Sequence, residues 1–392
     1  MFGKSYELFR VFGLPIRIDL SWLVIVLLVA WSLGTGWFPG QVSGLGQGVY
    51  WILGVAGALL LFASVVVHEL SHALVARQQG LPMQGITLFL FGGVAQMTGQ
   101  PPSAKAEFLV AIAGPLMTVV VTAAGFGLLE LSGVLGWPAW LDALIRYVAY
   151  INVVLLVFNL IPAFPLDGGR VLRSVLWKMR GDLARATRTA SRIGGFFGLL
   201  LAGLGILQFF TGNMVGGMWF VLIGFFLRSA AKGAYRQLQI RQLLQGEPVR
   251  GFMDTDPVSV PDNYSIKQMV NAYMRRQQME VFPVTDGEGR LVGCYTREDV
   301  QEIPQDRWES QRVGDEVPSC GEGLLISPDQ DAAAALEKMN STRNRRLLVV
   351  DDEGVLQGII DVRDLAEYFQ TASRLGTTET QEPPKTSQGE AP

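Results

Sequence analysis

The sequence predicts a polytopic α-helical membrane domain, with about six transmembrane helices, followed by a soluble α/β module. Two contrasts predict it. Residues 1–240 hold 16 basic and 8 acidic residues, whereas 241–392 hold 16 basic and 27 acidic. Apolar runs of about 20 residues, the length a helix needs to cross a bilayer, occur only in the first part. The net acidity of the second part argues against a nucleic-acid partner. Only Cys294 and Cys320 are present, both in the second part. No disulfide framework is implied, and a reducing compartment fits.

The spans read as 20–38, 49–68, 108–130, 143–163, 193–211 and 214–231. The first follows a charged segment, Lys4 to Asp19, and lacks the small-residue pattern of a cleaved signal peptide. Basic residues cluster before the first span, between the second and third, between the fourth and fifth, and after the sixth. The loops 39–48 and 212–213 have none. The positive-inside rule then places both termini and the acidic module in the cytoplasm, as expected for a cell (inner) membrane protein. Arg146 is the one dissenter.

Both histidines of the chain fall in His68-Glu69-Leu70-Ser71-His72, and no charged residue precedes Glu69 back to Leu20. On a helix His68 and His72 stand one turn apart on one face, so both rings can hold one metal ion. Glu69 then lies beside the open coordination position as a proton acceptor. Three ionisable groups at membrane depth are costly, which favours a functional reading over chance. A catalytic zinc needs a third protein ligand. With no third histidine and both cysteines in the soluble part, that ligand is a carboxylate. Asp19, Glu107, Asp167 and Asp182 lie on the expected side of the membrane. Asp167 is the best placed, directly after the fourth span in Asn159-Leu-Ile-Pro-Ala-Phe-Pro-Leu-Asp167-Gly-Gly. An ordinary Asp-Gly turn is the competing reading.

H-E-x-x-H in the second span, with N-x-x-P-x-x-P-L-D-G-G closing the fourth, resembles the site-2 protease family of intramembrane zinc metalloproteases. Supporting stretches are Leu88-Phe-Leu-Phe-Gly92-Gly93 and Glu107-Phe-Leu-Val-Ala-Ile-Ala-Gly114-Pro115-Leu. The resemblance covers about residues 10–235. It implies one Zn2+ per chain held by His68, His72 and Asp167, with Glu69 acting on water. It implies that Asn159 contacts the substrate backbone or the oxyanion, and that Gly92 and Gly93 belong to a short β element binding an unwound substrate. The family often has an asparagine after Gly-Pro, where this chain offers only Thr118.

The soluble part contains a repeat. Phe282 to Asp299 aligns with Leu347 to Asp364 at a constant offset of 65 residues, each copy reading strand, acidic-glycine turn, strand, helix start. An amphipathic helix precedes each copy, at 265–278 and 331–341. This resembles a tandem CBS-domain pair, with repeats at 249–303 and 312–370 after a membrane domain of 1–240. The resemblance implies an adenine nucleotide as regulatory ligand, contacted by Thr296, Asp299 and Asp364. Asp361 replaces the hydroxyl residue of the second copy and would repel phosphate. A homodimer contact through the repeats is the competing role. The Thr-, Gln-, Glu- and Pro-rich tail, 371–392, reads as disordered.

The expected function is an intramembrane zinc endopeptidase that cuts a single-span membrane protein near the cytoplasmic face, in contact with membrane lipid. Its rivals are a CBS-gated metal transporter and a catalytically inactive protein. An intact Glu69 argues against both.

Overall fold

The computed structural model describes residues 5–374, except 91, 98, 277, 278 and 343. It divides into two compact units, Met1–Leu238 and Gln239–Pro392.

The first unit opens with β1 (Ser5–Val11) and β2 (Leu14–Asp19), an antiparallel hairpin. Asp19 ends β2 and caps α1 (Leu20–Ser32), its Oδ1 accepting from the Ser21 N–H and hydroxyl. A π-helical turn (Leu33–Trp37) and α2 (Phe38–Gln41) complete the first span. Next come α3 (Gln47–Gln78), β3 (Met83–Phe89), β4 (Gly92–Met97), α4 (Ala104–Leu135) and α5 (Ala139–Asn159). They are followed by α6 (Asp167–Arg180), α7 (Leu183–Phe210) and α8 (Met214–Leu244). The sheet order is β1-β2-β3-β4, with β2 and β3 parallel and β4 an outer strand. Buried Ile16, Ile86 and Leu88 bind the sheet to Phe62 of α3.

Among the described residues, five helices are long and apolar enough to cross a membrane: Leu20–Gln41, Gln47–Gln78, Ala104–Leu135, Ala139–Asn159 and Leu183–Phe210. The sixth expected span, 214–231, is the first part of α8. The fourth span is displaced from its expected 143–163. It starts at Ala139 and stops at Asn159, because Pro162 and Pro165 remove amide donors and disfavour helix before them. Helices α7 and α8 meet glycine to glycine, since a Cβ on Gly198 would lie 2.6 Å from the Gly224 carbonyl. Such close backbone contact is the usual way membrane helices pack.

The second unit holds two similar three-stranded sheets. One comprises β5 (Val260–Pro261), β6 (Val281–Thr285) and β7 (Leu291–Thr296); the other β8 (Leu325–Ile326), β9 (Arg346–Val350) and β10 (Leu356–Asp361). In each the first pair is parallel and the second antiparallel. The helices are α9 (Ile266–Met269), α10 (Arg297–Glu302), α11 (Ala332–Thr342) and α12 (Val362–Arg374). The helix expected over 265–278 is shorter, α9 plus a π-helical turn ending at Met274. The two acidic-glycine turns interlock: Leu291 N–H donates to Gly354 O at 2.8 Å, and Leu356 N–H to Gly289 O at 3.0 Å. Helix α12 continues to Arg374, beyond the start of the tail expected to be disordered, and 375–392 lies outside the described residues.

One expectation needs correction. Cys294 and Cys320 form a disulfide, their Cα atoms 4.7 Å apart. The segment leading into β8 runs beside β7, where Cys294 N–H donates to Pro318 O at 2.9 Å. A separation of 26 residues gives no sign of that adjacency.

Candidate active site

Helix α3 does not end with the apolar run; it continues through the motif, so His68 and His72 do project from one face. Their Nε2 atoms lie 3.1 Å apart, and Asp167 Oδ2 lies 3.0 Å from the first and 3.2 Å from the second. Asp167 opens α6. All three residues are buried.

The other ring nitrogens fix the tautomers. His72 Nδ1 is 2.6 Å from the Val110 carbonyl, which can only accept, so Nδ1 bears the proton. His68 Nδ1 is 2.8 Å from Thr118 Oγ1, and that hydroxyl donates to Gly114 O at 3.1 Å, so it accepts from the ring. With the proton on Nδ1, each ring turns its Nε2, the metal-binding nitrogen of that tautomer, toward the Asp167 carboxylate oxygen. Three acceptors within 3.2 Å of one another repel unless a cation lies among them. Ligands about 2.0–2.1 Å from a tetrahedral zinc stand about 3.3 Å apart, so zinc fits this set.

Glycines make room for the cluster. A Cβ on Gly114 of α4 would fall 2.3 Å from His72 Nε2 and 2.7 Å from His68 Nε2. On Gly168 it would meet the Leu160 carbonyl at 2.2 Å, and on Gly169 the Phe164 nitrogen at 2.3 Å. The Asp-Gly-Gly sequence is thus needed to seat α6 against the 160–166 segment that aims Asp167.

Glu69 faces β4. Its Oε2 accepts from the Ala95 N–H at 3.1 Å, and a Cβ on Gly93 would lie 2.8 Å from its Cγ. Gly93 is therefore beside the acid, whereas Gly92 opens β4 with φ +129° and no neighbour within 4 Å of a Cβ there. Asn159 is the last residue of α5, half-buried, one residue before the Leu160 carbonyl that abuts Gly168. Its side chain makes no described hydrogen bond to the three ligands or Glu69.

The competing carboxylates have other tasks. Asp19 caps α1 and Asp182 caps α7, accepting from Arg185 N–H at 3.0 Å. Glu107 pairs with Arg173. Sequence reasoning assigned no role to Thr118; the signal was its place one turn after Gly114 on a helix.

In the soluble unit Thr296 and Asp299 form a capping box on α10, with Thr296 N–H and Oγ–H both 2.7 Å from Asp299 Oδ2. In the second copy Asp364 Oδ2 accepts from Asp361 N–H at 2.8 Å. Burial pushes the Asp361 carboxyl up, but the Arg363 N–H and the Arg346 guanidinium outweigh it, leaving its pKa below the ordinary value. Burial, together with that neighbouring charge, holds Asp364 above its ordinary value.

Two histidines and a glutamate on a helix apolar enough to cross a bilayer, with an aspartate closing on the histidines, make the arrangement of a membrane zinc metalloprotease. Residues 56–139 and 129–201 match Peptidase family M50, and 249–305 and 324–371 each match the CBS domain. A Mycobacterium tuberculosis protein named as the zinc metalloprotease Rip3 is 35% identical over 362 residues, 92% of this chain and 91% of its own. The zinc metalloprotease MJ0392 of Methanocaldococcus jannaschii is 29% identical over 366 residues, 92% of this chain and 95% of its own. A solved site-2 protease from the same archaeon shares 31% identity, covering 59% of this chain and 94% of that one, at a TM-score of 0.40. The chain belongs to peptidase family M50, the site-2 proteases, and bears a tandem CBS pair.

Proposed function

We propose that this zinc metalloprotease cleaves a single-span membrane protein within the bilayer, near the cytoplasmic face, and that adenine nucleotide at the CBS pair modulates it. The observation behind the first part is the buried His68–His72–Asp167 cluster, with Glu69 from the same helix turn bonded to strand β4. Zinc bound there would polarise a carbonyl and acidify water. Glu69 takes one proton from that water as its oxygen bonds to the scissile carbon. It then gives the proton to the amide nitrogen as the C–N bond breaks. The Ala95 N–H holds one carboxylate oxygen in place and leaves the other for this transfer. A helical substrate must unwind to expose its carbonyl, and the freed backbone needs partners. Strand β4, from Gly92 and Gly93 onward, and the Asn159 amide are the groups we assign to it.

Basic residues other than Arg146 flank the same ends of the spans, which supports a cell (inner) membrane location with both termini cytoplasmic. Nucleotide binding is assigned to Thr296 and Asp299 in the first copy, with Asp364 in the second. The experiment is co-expression with a single-span membrane protein and mass-spectrometric mapping of its products. A new terminus within the span, absent with Glu69→Gln, is expected. A Glu69→Gln variant that still cuts at more than a trace would end this mechanism.

A further inference from the structure

Glu107 is fully buried near the start of α4, and Oε1 accepts from Arg173 Nε at 2.6 Å and also from Nη2. Its other oxygen, Oε2, is buried with no hydrogen-bond partner among the described residues. The Arg173 guanidinium lies over the Phe164 ring, 4.9 Å from its centroid. A buried ion pair is weak support for stability. Desolvating both charges costs several kcal/mol, and apolar replacements of similar size are often neutral or stabilising. An unpartnered carboxylate oxygen makes this one dearer still.

What the pair connects explains its presence. Three residues after Glu107, the Val110 carbonyl fixes the tautomer of His72. Six residues before Arg173, Asp167 supplies the third donor. Phe164, under the guanidinium, lies in the segment that seats Gly168 and Gly169, and its carbonyl abuts Gly194 of α7. One guanidinium therefore holds the turn that orients His72, the helix that bears Asp167 and the loop leading into it. We infer that Glu107 and Arg173 are positioning residues that set the spacing between Asp167 and the two imidazoles. This rests on the zinc reading of the site.

The test uses the full-length protein purified in detergent, with zinc retention against a graded chelator, Tm, and kcat and KM on a single-span substrate. Glu107→Met with Arg173→Met fills the space without charges. We expect a Tm equal to or above that of the parent, zinc lost at about tenfold lower chelator strength, and kcat reduced with KM little changed. Arg173→Lys keeps a charge but loses the planar fork and the stacking on Phe164, so zinc retention should fall in the same direction. Parental zinc retention in either variant overturns the inference. A double variant that does not fold also overturns it, because the pair would then serve the fold. Asp167→Ala is run alongside. If it retains zinc, the zinc reading fails; if it loses zinc while the paired methionines do not, only the positioning role fails.

Discussion

Thr118 Oγ1 lies 2.8 Å from His68 Nδ1 and 3.1 Å from the Gly114 carbonyl, so one hydroxyl orients a ligand ring and is itself oriented by the backbone. Thr118→Val keeps the shape and removes the acceptor. Groups behind metal-bound histidines typically account for 10–100-fold in affinity or activity, so zinc should be released at least about tenfold more readily. Thr118→Ser should stay near the parent. Competition with a chromogenic chelator measures both, and a valine variant with parental zinc retention would remove this role.

Gly114→Ala should abolish zinc binding altogether. A new Cβ 2.3 Å from His72 Nε2 sits where the donors meet, and α4 backbone cannot easily retreat. Metal content of the purified variant is the readout, with circular dichroism showing that the helices persist.

Asp167→Ala leaves two imidazoles and should lower zinc affinity sharply, since a catalytic site needs three protein ligands. Asp182→Ala should leave zinc content unchanged while costing about 1 kcal/mol of stability through its lost cap. The reverse pattern would mean that the wrong carboxylate has been identified.

Much of the membrane site was legible because its chemistry is local. One helical turn separates the histidines, and an aspartate beside two glycines follows the prolines that lie beyond the end of α5. What stayed hidden depends on contacts distant in sequence. The partner of His68 is 50 residues away on α4, and Glu107 meets Arg173 across 66 residues. Cys294 and Cys320 likewise meet only because the segment leading into β8 returns to β7. The end of the fourth span was misplaced by four residues, because hydropathy continues through Leu160-Ile161 after the helix has stopped.

In the soluble unit, Asp299→Ala removes a capping box as well as the assigned nucleotide contact. We expect weaker adenine-nucleotide binding by the full-length protein and a loss of about 1 kcal/mol in stability. Asp364→Ala should matter less for binding, because the Asp361 charge beside it already disfavours phosphate in that copy. Calorimetry with AMP and ATP distinguishes them. Unchanged binding in Asp299→Ala would remove the assignment of the first copy.

The bond between Glu69 and the Ala95 amide makes the proposed proton acceptor and an outer sheet strand a single rigid gauge. A chain laid along β4 advances about 3.3 Å per residue, so slipping by one residue carries a carbonyl farther than a hydrogen bond can stretch. Backbone groups are alike whatever side chains they bear. An enzyme that aligns its prey in this way counts residues from the place where a helix comes undone. Ease of unravelling would then govern which bond is cut more than the identity of the residues flanking it.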